Sequence, residues 1–293
     1  MARFGSVITA MVTPFDDEGR VDLDGAAALA AWLVEQGNQG LVVTGSTGEG
    51  STLTDAEQVS VWRAVRAAVD VPLIAGSGTN DTRHACELTG QAAAAGLDAV
   101  LIVTPYYNRP PQSGLEAHFR AVAGATDLPV LLYDIPIRSG RKISHEVLVR
   151  LAHEVPNVVG LKDAAANATE TARVVADTPA DFEVYAGDDS WTLPMMSVGA
   201  VGIISVAAHW AAPEMTEMVA AFERGDHTKA WELNALLIES YDFEGGDLTP
   251  NPLPAKAMMR AVGQPAGQCR LPLGPAPAGL EQRALEVWNQ LHG

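Results

Sequence analysis

Hydrophobic positions along the chain follow two alternating patterns. Short runs rich in β-branched residues end at glycine, proline, serine or threonine, and each is followed by a longer Ala- and Leu-rich stretch with helical periodicity. This alternation is typical of parallel strands connected by helices. The eight predicted strands cover residues 6–13, 40–44, 71–76, 98–104, 129–134, 157–162, 182–187 and 200–206.

Helical patterns fill the seven connections between these strands. Several of them begin with a capping signal, such as Thr54 with Glu57 three residues later, or Ser144. The predicted helices cover residues 22–37, 54–69, 81–96, 113–126, 144–154, 168–177 and 189–198. Eight strand–helix units are enough to close a sheet, so we predict the α/β class and a (β/α)8 TIM barrel with its helices outside. An open doubly wound sheet is the competing fold, and no dinucleotide fingerprint favours it.

The alternation stops after Ala208. Helical patterns alone follow, interrupted by a Pro- and Gly-rich connection from Gly263 to Gly279. The predicted C-terminal helices cover residues 213–225, 226–243, 251–262 and 280–291. We therefore predict a barrel at residues 1–210 that carries the active site, and a helical region at residues 211–293 that packs on it.

Charge narrows the classes of partner. The 293-residue chain has 19 Lys and Arg against 36 Asp and Glu, a net charge of −17 that is spread along the sequence. Such a charge argues against nucleic acid and against an anionic membrane surface as partners. An anionic substrate would require local positive charge instead.

Cysteine usage and hydropathy bear on location. The two cysteines, Cys86 and Cys269, lack CxxC spacing, so neither a zinc site nor a disulfide framework is indicated. The first residues lack the apolar core of a signal peptide, and no stretch reaches the ~18 continuous apolar residues of a membrane span. We expect a soluble protein of the reducing cytoplasm.

Lys162 interrupts an otherwise apolar predicted strand in the segment Val158–Ala166. Apolar surroundings disfavour an ammonium ion, lower its pKa and leave a neutral amine that can attack a carbonyl. The pattern therefore indicates a lysine that forms a Schiff base. Two other interpretations stay open: the amine could reach water at the strand end, or it could pair with Asp163.

Hydroxyl groups cluster in loops at the carboxyl ends of the predicted strands, where barrel enzymes carry their active sites. The second strand is followed by Gly45-Ser46-Thr47-Gly48-Glu49-Gly50, whose hydroxyls and backbone N–H groups suit a small carboxylate. The same glycines could instead form only a turn. Tyr107 follows the fourth strand, Tyr133 ends the fifth, and these phenols could pass protons together with Ser46. They could also merely cap the barrel.

Arg138 follows the fifth strand and offers a planar fork for a second carboxylate, although a surface ion pair would also explain it. Gly187 and Ile204, on or after the last two strands, are expected to shape the substrate pocket. Asp188 and Asp189 are a weak metal signal because no further ligand stands at suitable spacing. We expect no metal and no histidine base.

Four motifs resemble those of the dihydrodipicolinate synthase and N-acetylneuraminate lyase family. They are Gly45-Ser46-Thr47-Gly48-Glu49, Thr104-Pro105-Tyr106-Tyr107-Asn108, Tyr133-Asp134-Ile135-Pro136 and Gly160-Leu161-Lys162-Asp163, and the match spans roughly residues 4–210. The resemblance implies a barrel with a C-terminal helical region and a Schiff base between pyruvate and Lys162. It also implies proton transfer by Tyr133, a relay completed by Ser46 and Tyr107, and a pyruvate carboxylate held by Thr47. Family members are usually homotetramers in which Tyr107 would reach into a neighbour's active site.

Within the family, the segment Tyr133–Gly140 resembles members whose arginine, here Arg138, binds the carboxylate of L-aspartate 4-semialdehyde. This resemblance implies condensation of pyruvate with that aldehyde to 4-hydroxy-tetrahydrodipicolinate, in lysine and diaminopimelate biosynthesis, without metal or organic cofactor. Such members usually have threonine at the position of Ser46. Serine at this position is shared with the lyases and with other sugar-acid aldolases. One alternative is therefore a pyruvate-dependent aldolase or dehydratase acting on a 2-keto-3-deoxy sugar acid, sialic acid or a hydroxyproline-derived keto acid. Another is a barrel that binds a keto acid as a sensor and catalyses nothing.

Overall fold

Eight strands form a closed parallel barrel in which sequence order is also spatial order. The structure, a computed structural model, describes residues 2–293. The strands are β1 Val7–Ala10, β2 Gly40–Val43, β3 Leu73–Gly76, β4 Ala99–Val103, β5 Val130–Asp134, β6 Val158–Asp163, β7 Glu183–Ala186 and β8 Gly202–Ser205. The predicted (β/α)8 barrel is confirmed, and every strand lies inside the predicted range or within one residue of it.

Helices connect the strands and continue beyond the last one. They are α1 Leu23–Glu35, α2 Asp55–Ala68, α3 Thr82–Ala94, α4 Gln112–Ala123, α5 Pro136–Ser139, α6 His145–Glu154, α7 Ala168–Asp177, α8 Thr192–Met196, α9 Ala208–Glu223, α10 His227–Phe243, α11 Leu253–Ala261 and α12 Leu280–His292. The sequence did not predict α5, a single turn that begins at Pro136. Proline is favoured at the first position of a helix because its missing N–H would have no partner there.

The capping signals read from the sequence are present in the folded chain. The Thr54 side chain accepts a hydrogen bond from the Glu57 backbone N–H, and the Glu57 carboxylate accepts one from the Thr54 N–H. The Ser144 side chain likewise caps α6 by accepting from the Val147 N–H. These contacts satisfy backbone donors that a helix leaves unpaired at its start, and so they determine where α2 and α6 begin.

One compact unit of the fold comprises the residues up to Ser6 together with Pro72–Ile204, and thus β3 to β8. Its strands are paired in a register that places Tyr133 opposite Lys162 and Lys162 opposite Tyr185. The strand pairing leaves no space for a side chain at Gly160, where a Cβ atom would lie 2.4 Å from the Glu183 carbonyl oxygen. Glycine therefore allows β6 and β7 to lie at strand distance beside Lys162.

The other compact unit comprises Val7–Val71 and Ser205–Gly293 and contains β1, β2, α1, α2 and α9 to α12. Within it α9 is kinked at Ala211, where φ is −123°, because Pro213 cannot continue the hydrogen-bond ladder. The proposed division into a barrel at residues 1–210 and a helical region at residues 211–293 stays a prediction. Among residues 2–293, no helix is both long and apolar enough to span a bilayer.

Candidate active site

Lys162 lies on β6, and only 4% of the residue is exposed. Burial excludes the interpretation in which its amine sits in bulk water at the strand end. Successive side chains of a strand point to opposite faces, so Asp163 points away from Lys162. The Asp163 carboxylate accepts hydrogen bonds from the Thr171 hydroxyl at 2.8 Å and from the Ala165 N–H at 3.0 Å. The other alternative, an ion pair between Lys162 and Asp163, is therefore not supported either.

Tyr133 lies close to the Lys162 amine. The amine nitrogen lies 4.6 Å from the centre of the Tyr133 ring, and the tyrosine is 7% exposed. Burial raises the pKa of the Tyr133 phenol to about 12, a rise that the Arg138 charge opposes and the Asp188 charge reinforces. The phenol therefore stays protonated at neutral pH and can donate a proton or hydrogen bond.

Gly187 leaves room for the lysine side chain. A Cβ atom at this position would lie 3.0 Å from Lys162 Cγ and 2.9 Å from Ala164 Cβ, closer than packed carbons normally approach. The Gly187 N–H donates to the Asp163 carbonyl at 2.8 Å, so its backbone cannot readily withdraw. Ile204 lies on β8 with 1% of its surface exposed, as expected for a residue that lines an apolar interior.

Arg138 stands on the single turn of α5, directly after β5. Its side chain is exposed, yet its charge acts on the Tyr133 phenol. The turn ends at Gly140, whose φ of 71° is a conformation that glycine adopts without strain. This local geometry keeps a guanidinium within electrostatic reach of the candidate proton donor.

Tyr107 differs from the other predicted site residues because it is 90% exposed. Its backbone has a φ of 74°, in the left-handed region that is uncommon for a bulky residue. The segment before it is anchored, since Asn80 Nδ2 donates to the Tyr106 carbonyl at 3.3 Å. The chain thus holds the Tyr107 phenol outward and does not bury it beside Tyr133.

Ser46 and Thr47 lie in the other compact unit, in a loop of residues 45–50 that we call the hydroxyl loop. Ser46 is exposed and Thr47 is buried. A Cβ atom at Gly50 would lie 2.2 Å from the Thr44 carbonyl oxygen, so the loop can fold this tightly only with glycine at that position. The Gly50 N–H closes the turn by donating to the Gly45 carbonyl at 3.1 Å.

Two residues next to the hydroxyl loop, Asn251 and Lys256, were missed by sequence reasoning. Asn251 Nδ2 donates to the Thr47 hydroxyl at 2.9 Å, and the Lys256 amine lies 2.6 Å from the Glu49 carboxylate. Asn251 and Lys256 come from the C-terminal helical part, some 200 residues away, where no local pattern signals a role. Glu49 was visible only as the last residue of a motif.

A second unpredicted feature is a cavity of about 470 Å³ beside β5, β6, α6 and α7. Asp134 and Lys142 are among its lining residues and form an ion pair of 3.3 Å, and Lys142 also pairs with Glu170 at 2.9 Å. Burial raises the pKa of the Asp134 carboxyl to about 6 despite that lysine. Within the part of the chain that the structure describes, no group of three or more His, Cys, Asp or Glu side chains is arranged to hold a metal ion.

Comparison with known proteins identifies the family to which the chain is similar. The model of the "Dihydrodipicolinate synthetase family" matches residues 3–288. A 4-hydroxy-tetrahydrodipicolinate synthase from Synechococcus elongatus is 48% identical over 291 residues, which cover 98% of this chain and 96% of the relative. Another from Moorella thermoacetica is 47% identical over 273 residues, with 92% of each chain covered.

The crystal structure of the dihydrodipicolinate synthase from Cyanidioschyzon merolae with lysine bound has a TM-score of 0.96 to this structure. The two are 42% identical, and the alignment covers 100% of this chain and 99% of that one. Both the family model and these relatives match almost the full length of the chain. The chain therefore belongs to the dihydrodipicolinate synthetase family.

Proposed function

We propose that the protein condenses pyruvate with L-aspartate 4-semialdehyde to form 4-hydroxy-tetrahydrodipicolinate, a step of lysine and diaminopimelate biosynthesis. The observation that carries this proposal is a buried lysine on β6 whose amine lies 4.6 Å from the ring of a buried tyrosine. Family membership and relatives named for this reaction support it. The reaction needs no metal or organic cofactor, because the lysine itself supplies the electron sink.

The neutral Lys162 amine attacks the carbonyl carbon of pyruvate, and the resulting carbinolamine loses water to give an imine. Loss of a proton from the pyruvate methyl group gives an enamine, since the imine nitrogen accepts the electron pair. The enamine carbon then attacks the aldehyde of the second substrate. Finally the substrate amino group attacks the imine carbon, closes the ring and displaces Lys162 as a free amine.

Tyr133 donates and accepts the protons that these steps require. Its phenol is neutral at physiological pH because burial raises the pKa to about 12. A phenol with so high a pKa is protonated at neutral pH and cannot act as a base alone. It can accept a proton only if it passes its own proton on, which a chain of hydrogen-bonded hydroxyls allows. Ser46 and Tyr107 complete that relay in our proposal.

A hydroxyl and a guanidinium each bind one of the two substrate carboxylates. Thr47, held by Asn251, binds the carboxylate of pyruvate through its hydroxyl and backbone. Arg138 binds the carboxylate of aspartate semialdehyde, and its influence on the Tyr133 phenol agrees with a place beside the reacting atoms. Gly187 and Ile204 shape the pocket around the lysine.

The active form is a homotetramer in the cytoplasm, built as a pair of dimers. An almost fully exposed Tyr107, held outward by a strained backbone, fits a side chain that completes its environment in a neighbouring subunit. Ile137, 89% exposed on α5, is a second large apolar residue on the surface of the same compact unit. Burial of such residues in an interface would remove apolar surface from water.

Trapping the imine tests the proposal directly. Borohydride reduction in the presence of pyruvate should attach the substrate to Lys162, and peptide mass spectrometry can locate it because the chain has only four lysines, at 142, 162, 229 and 256. Lys162→Ala should abolish both the adduct and turnover. Lys229→Ala, which removes an exposed lysine on α10, should change neither. A wild-type protein that gives no adduct would leave only a binding role.

Turnover with a panel of aldehydes and the kinetics of an arginine variant together test the second substrate. Among the aldehydes, aspartate semialdehyde should be turned over fastest. Arg138→Ala should raise KM for aspartate semialdehyde about 100-fold or more while changing KM for pyruvate little, because a charge-assisted pair with carboxylate is lost. Arg141→Ala, three residues along, is the matched control. Preference for a sugar-derived aldehyde, or equal effects of Arg138→Ala on both substrates, would contradict the assignment.

A further inference from the structure

A fully buried ion pair joins the hydroxyl loop to α11 and has no part in the chemistry proposed above. Lys256 Nζ lies 2.6 Å from Glu49 Oε1, and the two side chains are 0% and 1% exposed. Burying two charges removes so much hydration that well-packed apolar residues often stabilise a fold equally well. The conformation that such a pair specifies is therefore more informative than the stability that it adds.

Both charges are tied to further groups in the same compact unit. The Lys256 amine donates to the Gln268 carbonyl at 3.1 Å and lies 3.9 Å from the centre of the Phe15 ring. The second oxygen of Glu49 accepts the Arg270 N–H at 2.9 Å. Neither side chain can move without breaking several contacts, so the position of Glu49 is strongly determined.

The hydroxyl loop needs such external support. Glu49 has a φ of 54° and Thr44, directly before the loop, a φ of 58°, and both lie in the left-handed region that is unfavourable for residues with a Cβ atom. Such backbones persist when tertiary contacts hold them. Thr13 supplies one of these contacts, since its hydroxyl donates to the Gly48 carbonyl at 2.6 Å.

The C-terminal segment 251–256 contacts the loop at two points. Asn251 donates to the Thr47 hydroxyl, and Lys256 pairs with the Glu49 carboxylate two residues further along the loop. Ser46 lies next to the first of these points. One short segment thus contacts the loop at Thr47, which carries a hydroxyl, and again at Glu49 near the end of the loop.

We propose that residues 251–256 form a clamp that positions the hydroxyl loop, with Asn251 and Lys256 as positioning residues that act through Thr47 and Glu49. The clamp does not touch substrate in this proposal. It holds Thr47 where it binds the pyruvate carboxylate and Ser46 where it joins the proton relay, and so the inference rests on the proposed function.

Kinetics separate this role from a purely structural one. A pair that only stabilises the fold would change the unfolding temperature and leave the kinetics of the folded enzyme unchanged. A clamp instead acts on the pyruvate side, so its loss raises KM for pyruvate and lowers kcat. KM for aspartate semialdehyde, which depends on Arg138 in the other compact unit, stays within about twofold of the wild type.

The main experiment removes both buried charges at once. The double variant Glu49→Gln and Lys256→Met keeps similar side-chain volumes and leaves no isolated buried ion, so we expect it to fold with a circular dichroism spectrum like that of the wild type. We expect kcat/KM for pyruvate to fall at least tenfold. The control is Glu281→Gln, which breaks the partly exposed pair that Arg260 of α11 forms with α12 and should leave the kinetics unchanged.

Asn251→Ala provides a second test at a half-buried, uncharged position. It removes the hydrogen bond to Thr47, and we expect KM for pyruvate to rise about three- to tenfold with little change in kcat. If the double variant does not fold, this variant decides. Wild-type constants in either folded variant would overturn the clamp, whereas a wild-type enzyme that forms no pyruvate adduct would overturn the proposed function instead.

Discussion

In the proposed mechanism, Lys162 depends on the residue beside it as much as on its own chemistry. Lys162 is buried, and Gly187 on the neighbouring chain segment leaves the space that its side chain occupies. A nucleophile must be held in one geometry, because displacement by about 1 Å can cost roughly 100-fold in rate. The proposed chemistry therefore requires that residue 187 has no side chain.

We predict that Gly187→Ala lowers kcat by about 10- to 100-fold, because the new Cβ would displace Lys162 Cγ, 3.0 Å away. The rate of adduct formation with pyruvate, measured by borohydride trapping, should fall in parallel. Gly246→Ala is the control, since a Cβ there meets nothing within 4 Å. An unaltered rate in Gly187→Ala would show that the lysine tolerates the displacement.

His209 is a second residue whose surroundings determine its chemistry. It is fully buried, its Nδ1 is 2.8 Å from the Val206 carbonyl, and its Nε2 accepts the Val12 N–H at 3.1 Å. Nδ1 therefore carries the proton and the ring is neutral. Burial lowers the pKa of His209 to about 4, so the folded protein resists protonation that the unfolded chain accepts near pH 6.5.

It follows that the stability due to neutral His209 is fully present above pH 6.5 and is lost as the pH falls towards 4. His209→Gln should destabilise the protein at pH 7, and this deficit should shrink by about 2 to 3 kcal/mol at pH 4.5. Urea denaturation of both proteins at the two pH values measures the difference. Other buried groups such as His118 and Asp134 titrate in both proteins, so their effect cancels in the comparison with the wild type. A difference in stability that does not change with pH would contradict the conclusion that His209 is neutral in the folded protein.

At the scale of elements, α2 begins at a capping box that is also tied to the C-terminal part of its own compact unit. The Glu57 carboxylate accepts a hydrogen bond from the Thr54 N–H and two from the Arg270 guanidinium, at 2.6 and 3.1 Å. Chiefly because of that arginine, the pKa of Glu57 falls to about 2. The start of α2 is consequently determined by both local and tertiary contacts.

Thr54→Ala should lower the free energy of unfolding by about 1 kcal/mol, because the Glu57 N–H loses its acceptor. Thr54→Ser should have almost no effect, since the hydroxyl is retained. Chemical denaturation of the two variants in parallel makes the comparison. Equal destabilisation by alanine and serine would mean that the methyl group of Thr54, and not the cap, carries the effect.

For the whole molecule, the proposed role of Tyr107 requires that subunits assemble. A phenol that is 90% exposed in the single chain contributes to a dry relay only if another surface covers it. Sedimentation should give a mass four times that of the 30.8 kDa chain. A monomer that retains full activity would exclude a role for Tyr107 in a neighbouring active site.

Subunit mixing tests the same point more sharply. Lys162→Ala and Tyr107→Ala should each be nearly inactive as separate proteins. When the two are co-refolded, a dimer with one subunit of each kind contains one site with both an intact Lys162 and an intact partner Tyr107. Random mixing should thus restore about a quarter of wild-type activity, whereas no recovery would mean that Tyr107 serves its own subunit.

Periodicity within short windows was enough to predict most of the architecture. Strand and helix patterns arise from contacts between near neighbours in sequence, which is why all eight strands and the capped starts of α2 and α6 were predicted. The one-turn helix α5 was missed, since four residues are too few to show a period. Lys162 was identifiable because a lysine within an apolar strand is a local anomaly.

Only the tertiary structure decided the surroundings of that lysine. The sequence by itself determined the βα order, the family motifs and the candidate nucleophile. Folding decided that the amine lies over Tyr133, that Gly187 leaves it room, and that Asn251 and Lys256 reach the hydroxyl loop. These contacts join residues that are tens to some 200 positions apart, and a charged or polar side chain carries the same local signature whether it faces water or a buried partner.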